Sequence, residues 1–224
     1  MLCVDYRLAP EHPFPTPLDD CYTALIWLHE HARELNVDAT RIGLYGDSAG
    51  GGLAAGVALL ARDRGLSPPL AKQVLVAPML DDRIATHDAE LAPFLVFSYD
   101  DKITSWAAYL GPSTRTGTHD SLSSSRPITN TSSSNNAVPA PICKYAAPAR
   151  ETDLVGLPAT YLEVGELDCF RDEVLDYTRR LVSTGVGVEF HLYPGCFHAF
   201  DVFVPNAGVS QRAKTNLIRA LRSF

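Results

Sequence analysis

Residues 41–65, RIGLYGDSAGGGLAAGVALLARDRG, leave the chain little freedom in how it folds. An apolar run of strand length meets a glycine-rich turn and passes straight into an Ala- and Leu-rich run of helical length. That run ends in basic residues, with Gly65 placed as a C-cap. Such a strand-helix unit, repeated along the chain, is the signature of a parallel sheet with crossover helices.

The same alternation runs through most of the chain. MLCVDY reads as a first strand, followed by the turn-rich RLAPEHPFPTP. Leu18, Cys21, Tyr22, Leu25, Leu28 and Ala32 then fall at helical spacing, with Asp19 and Asp20 in the first turn, where the helix dipole favours them. KQVLVAPML is the next strand after the loop LSPPLA. Further on, ATYLEVGELD, a helix over 171–183, VEFHLYPG and a closing helix over 208–224 complete the series. The fold class is therefore α/β: a single domain over 1–224 with a mostly parallel sheet flanked by helices.

Between residues 82 and 150 the pattern breaks. DDKITSWAAYLG reads as a helix, but 113–141 is too rich in Ser, Asn and Pro to form a core, and we read it as a flexible surface insertion within a lid-like excursion. Asn130-Thr131-Ser132 inside it matches a glycosylation acceptor, a triplet common by chance.

Composition narrows the partners. The net charge of -7 and the scattered Lys and Arg residues provide no footprint for a nucleic acid backbone or an anionic membrane surface. No apolar run approaches the length of a membrane span. The five cysteines, at 3, 21, 143, 169 and 196, form no CxxC pair, which fits reduced, buried thiols and a cytoplasmic location. The oligomeric state leaves no mark on the sequence.

Gly46-Asp47-Ser48-Ala49-Gly50 carries the chemistry. A bare G-x-S-x-G match arises by chance in roughly one chain in ten of this length, but one lodged between an apolar strand and an Ala-rich helix is far rarer. The geometry of such a turn explains the glycines: the backbone at Ser48 is strained, and side chains at 46 and 50 are expected to collide with the neighbouring strand and helix. The hydroxyl then stands at the carboxyl edge of the sheet above a helix N-terminus.

A serine hydroxyl needs a base to take its proton and an acid to orient that base, and both belong at the carboxyl ends of later strands. Asp168 closes YLEVGELD, and His198 lies just after FHLYPG, giving the chain order Ser, Asp, His. Glu163 and Glu166 are the competing acids. Asp172 and Glu173, which open a helix, read as dipole-stabilising first-turn acids. Of the other histidines, His191 alternates within a strand, His29 and His31 sit on a helix, and His12, His87 and His119 precede or interrupt the sheet pattern.

VDYRLAPEHPFP, GDSAGG, AAPAR, GELDCFRDE and YPGCFHAF occur in that order, and with them the chain resembles the hormone-sensitive-lipase group of α/β-hydrolases. The resemblance implies Ser48 as nucleophile, His198 as general base and then acid, and Asp168 as the group that fixes the imidazole tautomer. It further implies a carboxylic ester substrate of short or medium acyl length and no metal or cofactor. A non-catalytic relative that binds a small molecule, as the plant gibberellin receptors of this fold do, is the alternative; those receptors lack the triad histidine that His198 supplies here. An inactive fragment is a third reading.

Two departures stand out. Members of the group carry a His-Gly-Gly-Gly loop ahead of VDYRLAP whose N–H groups form most of the oxyanion hole, and the 224 residues contain no such loop. The resemblance therefore implies an N-terminally truncated chain, with further strands, lid helices and the loop belonging ahead of Met1, and it leaves the N–H of Ala49 as the matching donor. The second departure is the Ser/Asn-rich insertion, which falls in the lid region just before AAPAR, so that the group's substrate preference does not carry over; Cys143-Lys144-Tyr145 also stands where a Ser-Pro-Tyr type stretch is expected. Impaired turnover is the expectation for the chain alone.

Overall fold

The computed structural model describes residues 1–83, 88–111 and 142–224. In chain order the elements are α1 (Thr16–Glu30), β1 (Gly43–Asp47), α2 (Ala49–Asp63), β2 (Lys72–Val76), α3 (Tyr99–Leu110), β3 (Ala159–Leu167), α4 (Arg171–Ser183), β4 (Val188–Phe197), α5 (Phe200–Phe203) and α6 (Gly208–Leu221). Among the described residues the strands form one parallel sheet in the order β1-β2-β3-β4. The insertion expected over 113–141, with its Asn130-Thr131-Ser132 triplet, lies outside the described residues, as do His87 and His119.

The two-residue period of a strand separates the faces of the sheet. Leu75 and Leu162 turn into the main core, which they share with Leu18 and Leu25 of α1, most of α2, Trp106 of α3 and Val174, Tyr177 and Leu181 of α4. Their neighbours Val74 and Tyr161 point the other way and meet Leu217 and Ala220 of α6. Helices thus cover both faces, as a buried parallel sheet requires. Residues 51–61 of α2 are all buried, which explains the small side chains of GGLAAGVALLA: a helix enclosed on every side must let its neighbours approach its backbone.

MLCVDY is not a strand. Residues 1–6 make no backbone hydrogen bond among the described residues, and Leu2 and Val4 are exposed. A strand persists only when a neighbour satisfies its N–H and C=O groups, and among the described residues none does so here. What fixes it instead is Arg7, whose guanidinium and backbone N–H both bond the Asp20 carboxylate on α1. For the same reason Cys3 is exposed, whereas Cys169 and Cys196 are buried as expected of free thiols.

Candidate active site

β1 stops at Asp47, and at Ser48 the backbone adopts φ 53° and ψ -117° before α2 begins. A non-glycine residue at positive φ is strained and persists only where its surroundings hold it. Here they do: the Ser48 N–H donates to Val76 O at 2.9 Å, and its carbonyl accepts from the N–H groups of Gly52 (3.1 Å) and Met79 (3.0 Å). The tightness of the turn explains Gly46, where an added Cβ would lie 2.1 Å from the Gly50 carbonyl oxygen.

Gly50 differs from expectation. A Cβ there would meet only the Tyr6 hydroxyl, at 3.8 Å, because this first-turn position faces outward. The close approach falls one and two residues later instead, where a Cβ on Gly51 or Gly52 would lie 2.8 Å from Pro78 Cβ and 2.2 Å from Met79 O. Ala49 is the first residue of α2, so its N–H is among those with no acceptor inside the helix and sits at the positive end of the dipole.

Register brings the other two residues together. Leu167 and Phe197 are paired across β3 and β4, so Asp168 and His198 each leave their strand one residue past the same rung. The imidazole Nδ1 lies 2.7 Å from Asp168 Oδ2, and Nε2 lies 3.0 Å from Ser48 Oγ. With the carboxylate accepting at Nδ1–H, Nε2 is left as acceptor for the serine hydroxyl. Asp168 is 1% exposed, and its second oxygen accepts the Phe170 N–H at 2.9 Å. Burial of His198 disfavours the imidazolium, but the Asp168 hydrogen bond and charge, with Asp47 and Asp201 beyond, outweigh it and hold the pKa above the ordinary histidine value.

None of the competing acids bonds His198. Glu166 is spent on the Gly195 N–H at 2.8 Å. Glu163 points to the α6 face, where Tyr161 and Tyr193 donate to Oε2 and Asn216 in turn donates to the Tyr193 hydroxyl. Burial pushes the Glu163 pKa up to about 7, with Asp201 and Asp47 adding to the rise against the tyrosine hydrogen bonds. The unfolded chain therefore loses this proton at lower pH than the folded one, and stability falls as pH rises from the ordinary carboxylate range through about 7. Glu163→Gln keeps an acceptor for both tyrosines and removes the titration. Its expected gain at pH 8 is about 3 kcal/mol, read as a higher Tm that converges with the parent's by pH 4.

Asp172 is exposed and pairs with Arg171, as a first-turn acid should. Glu173 does more than that: its side chain is buried, and Oε1 accepts the N–H groups of Leu80 (2.7 Å) and Asp81 (3.2 Å) while Oε2 accepts from Lys102 Nζ. Helical spacing alone could not show this, because the acid's partners come from β2's exit and from α3. The sequence reading also missed two rings beside His198, Phe97 at 5.8 Å and Phe170 at 5.4 Å between centroids. Phe170 lies in the GELDCFRDE stretch; nothing local marks Phe97. Among the described residues no group of three His, Cys, Asp or Glu side chains is placed to hold a metal ion, and no helix is long and apolar enough to cross a membrane.

The alpha/beta hydrolase fold family matches residues 1–202. The carboxylesterase NlhH of Mycobacterium tuberculosis is 37% identical over 231 residues, covering 100% of this chain and 64% of the relative. Among solved structures, a bacterial heroin esterase superposes with a TM-score of 0.78 at 44% identity, over 97% of this chain and 62% of that one. The esterase LipW from Mycobacterium marinum gives 0.76 at 36% identity, over 97% and 60%. The chain thus spans a little under two thirds of the length of the relatives it matches.

Proposed function

The chain belongs to the alpha/beta hydrolase fold family, in its hormone-sensitive-lipase group, and from that premise we propose that it is a carboxylic ester hydrolase acting through Ser48, His198 and Asp168. The observation that carries the reading is the continuous path from Ser48 Oγ to His198 Nε2 (3.0 Å) and from Nδ1 to Asp168 (2.7 Å), anchored on a strained serine turn. Ser48 Oγ attacks the ester carbonyl carbon as Nε2 takes its proton. The negative oxygen that forms is met by the Ala49 N–H. Collapse expels the alcohol, which leaves with the proton returned by His198, and the acyl group remains on Ser48. Water, deprotonated by the same nitrogen, then releases the acid.

Esters of short or medium acyl chains are the substrate class in this reading, and the five free thiols fit action in a reducing cytoplasm.

The test is hydrolysis of p-nitrophenyl butyrate across pH. His198 must be neutral to accept the serine proton, so kcat/KM falls as pH drops through its pKa. Because that pKa is raised, the midpoint is expected above 6.5. Hydrolysis without an acid limb would exclude His198 as the base.

A further inference from the structure

Lys102 and Glu173 form a buried ion pair outside the catalytic path. Their side chains are 6% and 5% exposed, and they join α3 to the first turn of α4. Burying two charges is costly, and a pair of this kind is weak grounds for stability by itself. Its position is informative. Glu173 also bonds the N–H groups of Leu80 and Asp81, two and three residues beyond Pro78 and next to Met79, which holds the Ser48 carbonyl. Lys102 Nζ stands 5.3 Å over the Phe170 ring, and that ring meets His198 edge-on at 5.4 Å.

The second connection runs along α3. The Lys102 N–H bonds Ser98 O one turn back, and Ser98 and Asp101 form a reciprocal capping box. The box fixes the backbone next to Phe97, whose ring lies 5.7 Å from Phe170 and 5.8 Å from His198. Both rings that flank the imidazole are therefore tied to the one ion pair. The charged groups that face His198 are Asp47 at the end of β1, Asp168 at the end of β3 and Asp201 on α5.

We propose that Lys102 and Glu173 are positioning residues, whose ion pair clamps Phe97 and Phe170 against His198 and so aims the imidazole at the leaving alcohol. This rests on the ester hydrolase reading. An imidazole free to tilt hurts esters unequally. An alkoxide leaves only when His198 protonates it, whereas p-nitrophenolate leaves unaided.

The informative variant is K102M/E173Q, which removes both charges, strands neither, and leaves a Gln carbonyl to accept from Leu80 and Asp81. The ratio of kcat/KM for ethyl butyrate to that for p-nitrophenyl butyrate is expected to fall about tenfold, a loss in proportion to a small misplacement of a catalytic group. The fraction of folded protein cancels from this ratio, so a merely structural role would leave it unchanged. Lys102→Arg, which keeps the charge, should restore the ratio, and Phe97→Ala should lower it. A lower Tm with an unaltered ratio overturns the proposal. If the parent hydrolyses neither ester, the ester hydrolase reading fails separately. The clamp is then judged by NMR titration of the His198 ring, whose midpoint moves in K102M/E173Q if the pair positions it and stays if it does not.

Discussion

Replacing Ser48 by Ala is expected to abolish covalent labelling by a fluorophosphonate and to lower ester turnover by a factor on the order of 10³ or more. Ser48 Oγ is the hydroxyl that the structure sets 3.0 Å from His198 Nε2, and the phosphonate captures only a serine whose proton has somewhere to go. His198→Gln should cost nearly as much, and the double variant little more than either single one, because groups that act in sequence on one proton are not additive. The fold should survive, since the substitution removes one hydrogen bond, worth about 1 kcal/mol. Mass spectrometry of the labelled chain reads the outcome directly. A phosphonate adduct on Ser48→Ala would assign the nucleophile elsewhere and sink the proposed mechanism.

Gly46→Ala should be nearly as damaging, for a reason that is wholly steric. Its Cβ would stand 2.1 Å from Gly50 O, 2.4 Å from Gly50 C and 2.7 Å from Gly51 N. These are backbone atoms of the first turn of α2, with no rotamer to move aside. The turn must open, taking Ser48 out of line with His198 and breaking its hydrogen bonds to Val76 and Met79. An ångström of displacement is worth a loss of about 100-fold in kcat/KM, and the overpacking adds about 1–3 kcal/mol of destabilisation. Gly50→Ala provides the comparison, since its Cβ meets only the Tyr6 hydroxyl at 3.8 Å, and its losses should be much smaller. Equal effects of the two substitutions on kcat/KM and Tm would mean that the turn has more slack than its geometry implies.

These contrasts mark how far the sequence could be read. The helix over 171–183 emerged with the bounds the structure gives it, because its apolar spacing and flanking Asp and Gly residues are local signals. Ser48 was singled out by its G-x-S-x-G turn and Asp168 and His198 by their places after later strands, and the structure sets His198 within hydrogen-bonding distance of both other residues. MLCVDY has the composition of a strand but no partner among the described residues, and composition cannot supply a partner. Glu173 read as a dipole acid because its position in α4 was visible while Lys102, 71 residues earlier, was not visibly its neighbour.

The sequence by itself determined the strand-turn-helix unit around Ser48, the parallel class of the sheet and the chain order of serine, acid and base, since each follows from local periodicity and from the backbone freedom of glycine. Tertiary structure alone decided how closely Asp168 meets His198, which glycines are sterically required, and what surrounds the imidazole. Those depend on the register that pairs Leu167 with Phe197, on the approach of Met79 to α2 and on the seating of α3 against α4. All three are contacts between segments far apart in the chain, and their energies exist only once the core has brought the segments together.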